Sequence, residues 1–159
     1  MRLKTSYTSR EVAALTGLTA RQLQWWDQHG IFHSAIATRR TESGGFTERR
    51  YSPMDVIELM ALANLRRQGF APAQLKQLMG TLGQYFRRRL SETLDDNGEL
   101  RLLTDGKALF LQTRQGHVFD VLIDPFQPLI ADGLPLRRVH ARRGKAAAKA
   151  QKAKGKGQK

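Results

Sequence analysis

The sequence of 159 residues predicts a mainly α chain with a β subdomain, and three observations predict it. Two short helical segments fill residues 8–30, with capping residues at their starts and glycines at their ends. Apolar residues at spacings of three and four then run through residues 53–94. Strand-like runs alternate with turn residues over 95–131, before the chain becomes Lys/Arg-rich.

The first helix is expected over about 8–15, because Thr8 and Glu11 form a capping box and Gly17 supplies the left-handed turn that ends it. Thr19 and Gln22 make a second box, and Gly30 stops a second helix at about 20–29. Val12 and Leu15 face inward, with Leu18 in the turn. Leu23 and Trp26, three residues apart, share the inner face of the second helix. Arg21, Gln24, Trp25 and Gln28 share the outer one, a polar, basic and aromatic face. Two short helices joined by a Gly-containing turn read as a helix-turn-helix.

A β-leaning run at Ser34–Thr38 precedes Arg39-Arg40, a Gly44-Gly45 tip, and a return strand from Phe46 to Arg49-Arg50-Tyr51. A basic hairpin directly after a helix-turn-helix reads as a wing, whose arginines lie along phosphate backbone. Ser52, Pro53 and Asp55 then start a third helix over 53–68, with Val56, Ile57, Met60, Ala63 and Leu65 on its apolar face. Gly69 ends it and Pro72 starts a fourth, carrying Leu75, Leu78, Met79, Leu82, Phe86 and Leu90. Gly80 and Gly83 weaken its middle, leaving either one bent helix to Leu94 or two shorter ones.

After the turn at Asp95–Gly98, the runs Glu99–Thr104, Ala108–Thr113 and Val118–Ile123 predict a small antiparallel meander. Pro125 and Pro128 interrupt it, and Leu129–Ala131 offers a short edge. From Arg137 onward almost no large apolar residue remains, so residues 137–159 are expected to be disordered.

Charge follows the same divisions. Residues 1–90 carry 14 basic and 6 acidic side chains, 91–136 three and eight, and 137–159 ten and none. Both basic blocks suit double-stranded DNA, where neutralised phosphates release counterions, and the acidic middle does not. No run reaches the roughly 18 apolar residues of a membrane span, and the N-terminus lacks a signal-like apolar stretch, so a cytoplasmic, nucleoid-associated protein is expected. The absence of cysteine excludes disulfides, zinc fingers and thiol chemistry. His29 and His33 are four apart but separated by Gly30, and no third ligand stands nearby. Asp95, Asn97 and Glu99 alternate without the downstream Glu of a calcium loop. No nucleophile–base constellation or phosphate loop appears. Neither metal, cofactor nor enzymatic activity is expected.

Residues 7–79 resemble the DNA-binding domain of the MerR family of bacterial transcription regulators. The resemblance rests on Tyr-Thr-Ser-Arg-Glu-Val-Ala at 7–13, Thr-Gly-Leu-Thr at 16–19 and Leu-Gln-Trp-Trp-Asp at 23–27, which parallels the family's Leu-Arg-Tyr-Tyr-Asp. Arg49-Arg50-Tyr51-Ser52 with Asp55-Val56, and Leu65–Phe70, complete it. It implies a winged helix-turn-helix working as a homodimer on palindromic promoter DNA, which it bends and untwists for RNA polymerase. Carried over to this chain, Arg21, Gln24 and Trp25 contact DNA from the second helix, with Arg49 on the wing. Charge and position add Arg10, Gln22, Arg39, Arg40, Arg50 and Tyr51 as DNA-binding residues. Gln24 stands where the family has Arg, suiting adenine rather than guanine, and Trp25-Trp26 replaces two tyrosines. The long coiled-coil helix that follows in most members is short here.

The expected organisation is therefore a winged helix-turn-helix over 1–79, a connecting helix available for dimerisation over 80–94, a β effector or interaction module over 95–136, and a basic tail over 137–159. The meander reads equally as an effector module or as a dimerisation or lid element. Two alternatives stand beside the promoter regulator: a nucleoid-type architectural protein binding through its tail, and an antitoxin-like regulator whose meander holds a partner protein.

Overall fold

The computed structural model describes residues 4–34, 36–40, 47–95 and 97–141. They form two compact units that divide between Asn64 and Leu65. The first contains β1 (Tyr7–Thr8), α1 (Ser9–Thr16), α2 (Ala20–Gln28), β2 (Ile36–Arg40) and β3 (Thr47–Tyr51), and most of α3 (Pro53–Arg67).

The capping boxes form as expected from local spacing. Glu11 N donates to Thr8 Oγ1 and Thr8 N to Glu11 Oε1, both at 3.2 Å. Thr19 and Gln22 repeat the exchange at 2.9 and 3.0 Å, and Ser52 and Asp55 cap α3 the same way at 2.9 and 3.1 Å. Gly17 closes α1 at φ 81°, its N–H donating to Ala13 O. Inside this unit Val12, Leu18, Leu23, Trp26, Ile31 and Phe32 are buried, while Leu15 is only half-buried and Thr16 takes its place in the core. Thr16 is satisfied there by donating to Val12 O at 2.8 Å and accepting from Leu18 N.

The hairpin is antiparallel, pairing Arg39 with Glu48 and Arg40 with Thr47, and a bulge separates Ile36 from Arg39. Its expected Gly44-Gly45 tip lies outside the described residues. The two-residue β1 pairs with β3 through Tyr7–Tyr51 and Thr8–Arg50, so β3 is the middle strand of three. On α3 the buried set is wider than one stripe: Val56, Leu59, Ala61, Leu62, Ala63 and Leu65, with Asp55 and Glu58. Ile57, expected on the apolar face, is 38% exposed.

The second unit opens with the end of α3 and α4 (Pro72–Thr81). Gly69, at φ 106°, makes the turn between them. The helix expected over 80–94 is not continuous: α4 passes into a π-helical turn at Leu82–Phe86 that stops at Arg87, and a 3₁₀ turn follows at Leu90–Thr93. Arg87 sits at φ 51°, a conformation costly to any residue with a Cβ. Gly80 and Gly83, just upstream, weaken the helix where it gives way.

A five-stranded antiparallel sheet completes the unit, in the order β7 (Asp124–Leu129), β6 (Val118–Asp120), β5 (Leu109–Thr113), β4 (Leu100–Thr104), β8 (Arg137–Arg138). One face carries the cluster Leu103, Phe110 and Val118, covered by Ala108, Leu129, Ala131 and Leu136. Leu102, Leu111 and Phe119 are register partners on the other, where Phe86 meets Phe119 edge to face at 6.0 Å. Two expectations are corrected. The segment with Pro125 and Pro128 is a strand, which two prolines tolerate because β7 is an edge and one side of its backbone needs no partner. Residues 137–139, expected within a disordered tail, belong to the sheet instead: Arg137 and Arg138 pair with Thr104 and Leu103, Val139 is 2% exposed, and its N–H donates to Leu102 O at 3.0 Å. Residues 142–159 lie outside the described residues. Val139→Ala should therefore cost about 2 kcal/mol, measured as a lowered urea midpoint, whereas a disordered position would show no change.

Candidate nucleic-acid interface

Helix α2 has two unlike sides because its apolar residues recur at helical spacing. Leu23 and Trp26 are 2% and 3% exposed and lock the helix to its own unit. Arg21, Gln22, Gln24, Trp25 and Gln28 are all exposed, and none of them is acidic. A helix held rigidly by one face and polar, cationic and aromatic on the other can lie against a polyanion without burying a carboxylate.

Trp25 is ordered by a contact that its own i+4 neighbour supplies. The His29 ring stacks on the indole, with centroids 3.9 Å apart and planes 19° from parallel. His29 Nδ1 lies 2.8 Å from the Trp25 carbonyl, so that nitrogen carries the proton and donates. The pairing was present in the sequence as a spacing of four. Only the stacking geometry shows that His29 belongs with Trp25 rather than with His33.

Asp27 joins α2 to the hairpin. Its Oδ2 accepts from Arg49 Nε at 2.8 Å, and its Oδ1 lies 2.6 Å from His33 Nδ1. Burial pushes the Asp27 carboxyl up, but the hydrogen bonds and charges of Arg49 and His33 outweigh it and hold the group below its ordinary 3.8. Arg49 is thus partly committed within the protein, with a side chain 20% exposed. Sequence reading placed it on the wing and missed the clasp, because the partners are 22 residues apart.

The other expected site residues divide. Arg10 is exposed on α1 and Arg50 half-buried on β3. Gln22 is exposed, but its side-chain oxygen is taken by Thr19 N. Arg39 and Arg40 stand on β2 by their backbone, and their side chains lie outside the described residues. Tyr51 is corrected: it is 2% exposed, burial pushes its phenol up, and Ser9 hydrogen-bonds to it. It is a core residue where β1 meets β3. Asp27, His29 and His33 are the residues that sequence reasoning left out.

In the second unit a cavity of about 480 Å³ is lined by Phe86, Arg88, Glu99, Leu100, Thr113, Arg114 and Gln115. Its cations are engaged inside the protein: Arg88 pairs with Glu99 at 2.6 Å and Glu92 at 3.6 Å, and Arg114 donates to Asn97 O at 2.8 Å. Among the described residues no three His, Cys, Asp or Glu side chains gather to hold a metal ion, and no helix is long and apolar enough to cross a membrane.

Residues 7–82 match the family described as MerR HTH family regulatory protein. No curated protein matches the chain. The matched segment contains both capped helices of the helix-turn-helix, the hairpin, and α3 and α4 through Leu82. Residues 7–82 belong to the MerR HTH family, and the protein is a DNA-binding transcriptional regulator with its helix-turn-helix at the N-terminus.

Proposed function

We propose that the chain acts as a homodimer on promoter DNA, with α2 in the major groove and the β2–β3 hairpin as a wing on the flanking backbone. The observation that carries this reading is the outward face of α2, which exposes Arg21, Gln24 and Trp25 without a carboxylate while Leu23 and Trp26 anchor it. Gln24 offers an amide that pairs with adenine through two hydrogen bonds. Arg10, Arg50 and the strand positions Arg39 and Arg40 supply phosphate contacts. Arg49 acts through Asp27, setting the angle of the wing on α2. Bending and untwisting of the promoter would then pass to RNA polymerase through DNA shape.

Selection of bound sites from random duplex DNA tests the proposal. A palindrome with half-sites separated by whole turns of about 10–10.5 base pairs is expected. Gln24→Ala should relax preference at one base position per half-site, losing about 1–3 kcal/mol of discrimination there, while Arg10→Ala should weaken all sites alike. A protein shortened to residue 141 should select the same palindrome. If it loses all binding, or if no sequence is enriched, the reading fails in favour of architectural binding through residues 142–159, which carry eight basic and no acidic side chains.

A further inference from the structure

We propose that the His29 imidazole is itself a DNA contact, its Nε2 taking up a proton and donating it to a backbone phosphate when α2 enters the groove. The inference rests on the DNA-binding reading above and adds to it one residue and one proton. His29 is exposed and caps the C-terminal end of α2. It stands about one turn beyond Trp25 and two beyond Arg21, on the outward half of the helix. From Arg21 to His29 the helix advances about 12 Å, close to the roughly 12 Å width of the major groove. A helix that reads base edges from its N-terminal half thus brings its last residues to the groove wall, where the phosphates lie.

The ring is held in place before any DNA arrives. It stacks on the Trp25 indole at 3.9 Å and 19°, and its Nδ1 donates to Trp25 O at 2.8 Å. The stack fixes the plane of the ring and the hydrogen bond fixes its rotation. The chemical consequence falls on the other nitrogen. With the proton on Nδ1, a neutral His29 carries a lone pair on Nε2, which repels a phosphate oxygen. Among the described residues nothing bonds to Nε2. Donating to phosphate from there requires a second proton, which turns the ring into a cation with two donors.

The surroundings suit that cation. The last carbonyls of α2 and the face of the indole adjoin the ring, and both are electronegative. The charged groups at this end of α2 are Asp27, Arg49 of β3 and His33, and they answer one another. Asp27 takes Arg49 Nε on one oxygen and faces His33 Nδ1 with the other. Among the described residues no carboxylate therefore competes with a phosphate for His29. His33 differs on this point, since its anion lies inside the protein, 2.6 Å away.

Affinity of the full chain for its selected duplex, measured against salt at about pH 6 and about pH 8, tests the proposal. DNA favours the protonated ring, so affinity rises as the pH falls. The parent should bind about threefold to fivefold more tightly per half-site at the lower pH. Its slope of log affinity against log salt should also steepen there by about 0.9 per half-site, the worth of one further phosphate. His29→Phe keeps a ring beside Trp25 but no nitrogen, and should lose both differences. His29→Lys carries its charge at either pH and should show the steep slope at both. His33→Gln should keep the parent's pH dependence. The proposal is overturned if His29→Phe titrates like the parent, if the difference disappears in His33→Gln instead, or if His29→Phe changes preference at a single base position, which puts the ring on a base edge. A parent that selects no duplex at either pH overturns the DNA-binding reading as well. One that binds its duplex equally at both pH values overturns this proposal alone.

Discussion

Trp26→Ala should destabilise the first unit by about 3–5 kcal/mol, while Trp25→Ala, one residue away, should cost no more than about 1.5 kcal/mol. Trp26 is 3% exposed, on the same face of α2 as Leu23. Truncating it removes a large apolar side chain from water-free surroundings and leaves a cavity that a short helix cannot collapse to fill. Trp25 is 42% exposed, and its main internal contact is the stack on His29. Since a small domain loses roughly 4–8 °C per kcal/mol, the Trp26 variant should melt more than about 10 °C below the parent and the Trp25 variant within a few degrees of it. DNA binding should reverse the order of causes. Trp25→Ala should lose about tenfold in specific affinity while folded; Trp26→Ala should lose binding only as far as it unfolds. An unchanged melting temperature for Trp26→Ala would show that the faces of α2 are assigned the wrong way round.

Asp27→Asn should cost about 2 kcal/mol at neutral pH, the worth of a hydrogen bond to a charged group. Two partners lose their anion at once: Arg49, which is mostly covered, and His33. The pH dependence follows from the depressed carboxyl. A group ionised more readily in the folded than in the unfolded chain stabilises fully above its unfolded value. That stabilisation is lost as the pH falls through 3.8 and on through the lower folded value. The gap in urea midpoint between parent and Asp27→Asn should therefore be constant at neutral pH and close below about pH 4. Comparing two proteins removes the other carboxylates, among them Asp105. Two backbone N–H groups, from Ala108 and Lys107, hold Asp105 below its ordinary value. A gap that persists undiminished at low pH would mean that Asp27 acts by shape rather than by charge. The same substitution should loosen the hairpin on α2 and weaken DNA binding at all sites together.

The features legible in the chain were those whose causes lie within about four residues. Thr8 with Glu11, Thr19 with Gln22 and Ser52 with Asp55 close on themselves once the helix starts, so their spacing suffices to name them. Gly17, Gly30 and Gly69 mark turns because only their backbones are comfortable there. The buried and exposed tryptophans of α2 follow from periodicity alone. The meander was legible too, as apolar runs parted by Asp105-Gly106 and Arg114–Gly116.

What escaped sequence reading depends on partners far along the chain. Tyr51 sits beside two arginines and reads as a surface residue, yet pairing with Tyr7 carries it into the core. Arg49 reads as a free cation until Asp27 folds against it. Pro125 and Pro128 argue against a strand unless that strand is an edge, and only the order of the sheet decides that. Arg137-Arg138 has no strand character of its own; it pairs because β4 presents an open side and Val139 a place to bury. Local hydrogen bonding and helical periodicity thus settle the helices, their ends and the face that α2 turns outward, since each depends on neighbours already in reach. The clasp and the sheet edges are settled by tertiary structure, since there the decisive contact lies with a residue that becomes a neighbour only when the chain has folded.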